Sequence, residues 1–191
     1  MSEQLEQVSF TAMCDGTAED YLLLQRCERP FMNATGERVL AYLEGMQDSF
    51  PGYQITRLEH ALQTASRALC DGACKQMVVA ALLHDIGDGL APENHSDLAA
   101  SILRPYVSEK IWWIIKHHGV FQLYYYGHHI GQDRNARDRY RNHPWFDDCA
   151  RFCEDWDQAS FDPKYQSLPM ETFRPMVLEV FRQPWAALEG S

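Results

Sequence analysis

Hydrophobic positions along the chain recur at helical spacing and nowhere with the period of two that a half-buried strand needs. In "ATGERVLAYLEGMQDSF" Val39, Leu40 and Leu43 share one face behind a candidate N-cap, Thr35. "FPG" at residues 50–52 reads as a turn. "TRLEHALQTASRALCDG" puts Leu58, Leu62, Ala65 and Leu69 on one stripe and stops at Gly72. "KQMVVAALLHDIGD" is apolar on nearly every side, which predicts a central buried helix ending near Gly87. Ser96 and Ser108 are candidate caps for the next two helices, the second of which meets a break signal at Gly119. A basic helical stretch around "RNARDRYR", a break at Pro144, a helix to about Asp157 and a last helix in "METFRPMVLEVFRQPW" complete the pattern. The prediction is an all-α bundle of about seven helices. It forms one domain over residues 1–191, with a helical core at roughly 36–162 and helical extensions on both sides.

Composition supports a packed core, since 46% of the 191 residues are hydrophobic. The net charge of −10 argues against a nucleic-acid partner and requires local cations for any anionic substrate. No apolar run is long enough to span a bilayer, and "MSEQLEQVSF" lacks the basic start of a secretory leader. The expectation is therefore a cytoplasmic protein with no membrane partner. Cys70/Cys74 and Cys149/Cys153 are each four apart, but both pairs fall in helical patterns, so they read as reduced thiols rather than a zinc site.

The chemistry concentrates in "AALLHDIGDGLAPENHSDLAA". An apolar helix ends in an adjacent His and Asp, two glycines follow, and another His comes eleven residues after the first. A buried imidazole and carboxylate need partners, and a metal ion is the commonest partner for both. All eight histidines lie between His60 and His143. His60, His84, Asp85, His95, His118 and Asp157 all sit near predicted helix ends, with His117 and Asp155 as close rivals for two of the places. Four imidazoles and two carboxylates suit iron, manganese or zinc better than magnesium alone. A shared carboxylate would let them hold two ions.

"LEHALQ", "LLHDIGD", "NHSDLAA", "HHGVFQ" and "DWDQASFD" resemble the HD-domain superfamily, and within it the mixed-valent diiron oxygenases that include myo-inositol oxygenase and the phosphonate-cleaving oxygenases. The resemblance spans residues 50–162. It implies metal ligands His60, His84, Asp85, His95, His118 and Asp157 in the order His, His-Asp, His, His, Asp, with Asp85 as the bridge. It also implies two iron ions, dioxygen as co-substrate and a small organophosphonate as substrate. "HDIGDGLAPENH", "YYYGHH" and "DQASFDP" point further, to cleavage of (1-hydroxy-2-(trimethylammonio)ethyl)phosphonate into glycine betaine and phosphate. Other HD-domain proteins are phosphohydrolases, which makes hydrolysis of a phosphate ester the second expectation.

The chain departs from the aminoethylphosphonate-cleaving pattern at four places. Phe50 stands where a metal-gating Tyr is expected, and Tyr53 where a Glu would meet the substrate amine. Asp88 and Gln122 replace a His and a Lys of the phosphonate pocket. Tyr53 suits a quaternary ammonium, whose charge is spread over methyl groups that pack on aromatic faces. Tyr126 and His129 are further candidates for that wall. Arg137 and Arg141, at i, i+4 on one face of the basic stretch, are candidates to replace the missing phosphonate-binding cations.

Overall fold

The computed structural model describes residues 6–48, 50–182 and 184. Among them are eight α-helices and no strand. The helices are α1 (Ala18–Asn33), α2 (Thr35–Gly45), α3 (Arg57–Cys70), α4 (Lys75–Leu83), α5 (His95–Leu103), α6 (Glu109–Tyr126), α7 (Phe146–Arg151) and α8 (Met170–Val180). Helix α7 continues directly into a π-helical turn, Phe152–Asp157.

The bundle is organised around α4. Every residue from Val78 to Leu83 is buried, as expected of a helix with no polar side. Helix α3 packs along it, and α5 packs along α6. Small side chains permit the close approach: Ala61, Ala65 and Ala68 on α3, and Ala99 and Ala100 on α5, are all buried. Helix α8 crosses α2 and α4 and contributes Phe173 and Val177 to the core.

The start of α3 is set by a reciprocal capping box. The Thr56 side chain accepts from the Glu59 amide, and the Glu59 carboxylate accepts from the Thr56 amide. Ser108 caps α6 by accepting from the Ile111 amide. The remaining boundaries differ by small amounts from the sequence pattern. Thr35 and Ser96 lie inside their helices, which begin at Thr35 and His95. Gly119 does not break α6, which runs through it. The basic stretch is a 3-10 segment, Ala136–Tyr140, rather than an α-helix. Helix α1 was legible only as a nonspecific extension, because Asp20 is its one buried residue and it carries no apolar core stripe. The expected last helix ends at Val180, and residues 183 and 185 of that expectation lie outside the described residues. No helix among the described residues is long and apolar enough to cross a membrane.

Leu82 lies on the central helix at 1% exposure. Leu82→Ala is expected to destabilise the fold by about 2–5 kcal/mol through lost burial and the cavity left behind. Urea titration of the variant measures it, and a loss well under ~1 kcal/mol would place α4 outside the cooperative core.

Candidate metal centre

Four imidazoles converge between α3, α4, α5 and α6, and backbone carbonyls set their direction. His60 Nδ1 donates to the Ser160 carbonyl at 2.8 Å, His84 Nδ1 to Ala81 at 2.7 Å and His118 Nδ1 to Ile115 at 2.6 Å. His95 Nδ1 makes a longer contact of 3.3 Å with the Pro92 carbonyl. A carbonyl oxygen only accepts, so the hydrogen of each neutral ring sits on Nδ1 and the Nε2 lone pair points the other way. All four Nε2 atoms face the same carboxylate, Asp85.

Asp85 is shared between two pairs. Its Oδ2 lies 3.3 Å from His60 Nε2 and 3.2 Å from His84 Nε2. Its Oδ1 lies 3.1 Å from His118 Nε2 and 3.5 Å from His95 Nε2. Asp157 closes the first group, with Oδ1 at 3.3 Å from His60 Nε2 and 3.4 Å from His84 Nε2. His60, His84 and Asp157 thus form one donor set, and His118 and His95 meet the other oxygen of Asp85, which lies between. Asp88 lies beside His95, with Oδ1 3.6 Å from Nδ1.

These residues fit a pair of metal ions. His60 Nε2 and His84 Nε2 approach to 3.1 Å, and two lone pairs facing each other at that distance require a cation or a proton between them. Asp157 Oδ2 is buried and has no hydrogen-bond partner. An orphaned buried carboxylate oxygen beside converging imidazoles is a donor set lacking its acceptor. Imidazole and carboxylate together select transition metals or zinc.

The electrostatics carry the same message. Burial opposes the charged form of His60, but hydrogen bonds that it donates to Asp157 and Asp85 outweigh it and raise its pKa. Burial opposes the charged form of His84 too, yet Asp85 and Asp157 together raise it well above the usual value. Burial would also raise Asp85, but His84, Arg57 and the surrounding imidazoles hold it well below the carboxylate range, and His84 and His60 do the same for Asp157. Asp88 is raised, by burial and by its neighbour Asp85. Without metal, Asp85 and Asp157 favour the protonated forms of His60 and His84, and metal binding there must displace those protons.

The local structure explains why these residues meet. His84 sits just past the end of α4 and caps one of its orphan carbonyls, that of Ala81. The segment carrying Asp157 is bolted to α3 by a stripe of three side chains. Along with His60, Gln63 donates to the Asp162 carbonyl at 2.8 Å and Arg67 to the Ala159 carbonyl at 2.9 Å. On the other side, Cys149 and Cys153 donate to the Ile114 and His118 carbonyls of α6. The π-helical turn holds Asp157 inward while Asp155, two residues earlier, is exposed. His117 likewise turns away: its ring stacks on Trp113 at 4.3 Å, and Trp113 stacks on His143 at 3.9 Å.

Two glycines admit His95. A Cβ on Gly87 would lie 2.5 Å from the His95 carbonyl oxygen and 2.7 Å from its Cα. A Cβ on Gly119 would lie 2.7 Å from Ser96 Oγ and 3.6 Å from His95 Nε2. The glycine that resembled a helix break is a close-approach position on α6.

A cavity of about 450 Å³ opens onto Asp85, His95, His118 and Asp157. Of the substrate-wall candidates drawn from the sequence, Phe50, Tyr53, Asp88, Gln122 and Tyr126 line it. His129, Arg137 and Arg141 are not among the lining residues. His129 is exposed on a 3-10 turn and packs on His128 at 3.9 Å. Arg137 lies in the 3-10 segment and Arg141 just past its end, so the i, i+4 spacing of an α-helix does not relate them. Arg137 lies over the Tyr124 ring at 3.7 Å, and Arg141 pairs with Asp138 at 2.8 Å. Tyr125, in the tyrosine run beside Tyr126, lines the cavity too, as do Arg57, Gln158 and Phe161, which sequence reasoning did not single out. Phe161 stacks on His60 at 4.3 Å and on Tyr53 at 5.0 Å, joining the outer aromatic wall to a candidate ligand.

Comparison with known proteins places these features in context. The family model described as HD domain matches residues 57–160. A hydroxymethylphosphonate dioxygenase of Gimesia maris is 48% identical over 62 residues, 31% of this chain and 31% of that protein. A bifunctional uridylyltransferase/uridylyl-removing enzyme of Cereibacter sphaeroides is 35% identical over 91 residues, 42% of this chain and 10% of that protein. The chain therefore spans about a third of the first relative's length and a tenth of the second's.

Two outcomes test the centre. Asp157→Ala should lose bound metal, whereas Asp155→Ala should keep it; metal analysis showing the reverse would move the ligand two residues upstream. Gly87→Ala forces backbone against backbone at His95, so it should lose the ion on the His95–His118 side. Gly119→Ala meets only a side-chain hydroxyl and should be milder, with Ser96→Ala restoring metal content. Equal metal content in Gly87→Ala and the parent protein would exclude His95 from the donor set.

Proposed function

The chain belongs to the HD-domain family, and from that premise we propose that it is a dioxygen-dependent dinuclear iron enzyme that cleaves the carbon–phosphorus bond of a hydroxylated organophosphonate. The observation that carries this reading is the division of Asp85 between two imidazole pairs, which suits a bridged pair of ions rather than one. The partial identity to a hydroxymethylphosphonate dioxygenase supports the phosphonate class.

When bound, two iron ions supply Lewis acidity toward phosphonate and hydroxyl oxygens and the redox capacity that dioxygen chemistry needs. The protein's own residues do the rest. His60, His84 and Asp157 are buried in the inner donor set, and of the three only Asp157 borders the cavity. His95, 28% exposed at its side chain, and His118 face the cavity, so the substrate meets their side of the centre first. Phe50, Tyr53 and Tyr126 form its mouth and present aromatic surface to the end of the substrate remote from phosphorus.

The aromatic wall and the cavity volume favour a substrate larger than hydroxymethylphosphonate. The best fit is (1-hydroxy-2-(trimethylammonio)ethyl)phosphonate. With its phosphonate dianionic and its ammonium cationic, net charge −1, the substrate and one dioxygen yield glycine betaine, hydrogen phosphate dianion and one proton: the C–P bond breaks and C1 becomes the carboxylate. A second reading, hydrolysis of a phosphate ester, draws on the similarity to the uridylyl-removing enzyme. It needs water in place of dioxygen.

Iron-loaded protein should release phosphate from the hydroxyphosphonate in air, with matching oxygen uptake, and stop under argon. Phosphate release from simple phosphate esters that continues under argon would establish the hydrolase instead. The trimethylated substrate should exceed its primary-amine analogue in kcat/KM by on the order of a hundredfold, from two desolvated cation–π contacts. Tyr53→Glu should narrow the gap by readmitting the primary amine. Equal kcat/KM for the two compounds in the parent protein would eliminate the aromatic cage while leaving the metal chemistry intact.

A further inference from the structure

Arg57 occupies a place that neither its helix nor the core asks for. It is the first residue of α3, where the positive end of the helix disfavours a cation, and it is buried at 7% exposure. Burying a guanidinium is costly unless it is paired. Arg57 forms ion pairs with Asp85, the shared carboxylate of the metal centre, and with Asp88. Its guanidinium carbon lies 5.5 Å from the centre of the Tyr53 ring and 5.9 Å from that of Phe50. Among the described residues, it is the only Lys or Arg that lines the cavity.

Charge balance gives this position a purpose. Asp85, Asp88 and Asp157 against Arg57 leave the cavity lining with two surplus negative charges. The net charge of the whole chain repels an anionic ligand. Two divalent ions would reverse the surplus to two positive charges, which matches a phosphonate or phosphate dianion. Without Arg57 the match would fall short by one charge. Once Asp85 and Asp157 are engaged by metal, Asp88 is the remaining carboxylate on the lining to balance Arg57.

Resting on the reading of this cavity as a phosphonate site, we infer that Arg57 recognises the anionic phosphorus head of the ligand. Its planar fork matches two oxygens of a phosphonate or phosphate, which a lysine's point charge does not. Asp88 is the positioning residue: by pairing with Arg57 it holds the guanidinium against the cavity next to the metal centre. The anion-binding role sought on Arg137 and Arg141 therefore falls to a residue one helical turn before the first candidate metal ligand.

The test titrates inorganic phosphate into metal-loaded parent protein, Arg57→Gln and Arg57→Lys by calorimetry, with metal content and melting midpoint measured on the same samples. Arg57→Gln should keep both ions and bind phosphate roughly ten- to a hundredfold more weakly, the loss of a charge-assisted hydrogen-bonding group. Arg57→Lys should fall between the two. Phosphate affinity of metal-replete Arg57→Gln within about twofold of the parent overturns the inference, even if the melting midpoint drops, because the role would then be structural. If Arg57→Gln fails to fold or to hold metal, Arg57→Lys decides: weakened phosphate binding at full metal content supports the inference, and unchanged binding overturns it. Failure of both variants to fold or to hold metal also overturns it, since Arg57 would then serve the scaffold rather than the anion. Weakened phosphate binding in Arg57→Gln, alongside no oxygen uptake by the parent, would remove the oxygenase chemistry and leave this role in place.

Discussion

The centre depends on one repeated interaction: an imidazole N–H spent on a backbone carbonyl. Each such bond fixes a ring's tautomer and direction, so the opposite nitrogen is committed before any ion arrives. Three of the four carbonyls come from the ends and flanks of helices already held by the core, and that of Ile115 lies within α6. Ala81 belongs to the last turn of α4, Ser160 to the segment after the π-helical turn, and Pro92 to the turn before α5. The geometry of the donor set is therefore a property of the backbone, and backbone packing defines it to a fraction of an ångström.

That dependence explains why polar chemistry is tolerated deep in an apolar bundle. His60, His84, His118, Asp85 and Asp157 are all buried, next to Phe152 and Phe161. In so dry a place unpaired charges are expensive and paired ones interact strongly. The arrangement alternates signs: imidazoles surround Asp85 on both of its oxygens, and Arg57 adds a cation on the same carboxylate. A protein that did not bind cations there would gain stability by replacing the group with leucines. Retaining it is a cost to the fold that function accounts for.

The sequence exposed the parts of this design that follow local rules. The apolar run 77–83, the His-Asp pair behind it and the capped start of α6 are short-range signals, and the structure realises each. What it concealed depends on distant partners. Gly119 looks like a break until α5 is seen lying against it. Arg137 and Arg141 share a face only if their segment is α-helical, and a 3-10 segment separates them. Helix α1 has no buried stripe from which to be read. Arg57 did leave a trace: a cation in the first turn of a helix opposes the macrodipole, so its presence there required a tertiary explanation. The rivalry between Asp155 and Asp157 was beyond reach of periodicity, because a π-helical turn changes the angle per residue just where the choice is made.

On the proposed reading, an acidic chain that handles an anion must confine its positive potential to a small volume. Here the confinement is built in layers. Aromatic rings cover His60 and His84 of the inner donor set, the shared carboxylate marks the boundary with the cavity, and Arg57 stands on that boundary facing both Asp85 and Asp88. Beyond it the wall is aromatic, with Phe50 and Tyr53 about half exposed. A ligand with a doubly negative end and a diffuse positive end meets complementary surfaces in that order, and a ligand with the charges reversed meets repulsion at both. If the proposed substrate binds there, the polarity of the cavity selects orientation as well as charge, using the same carboxylate that the imidazole pairs share.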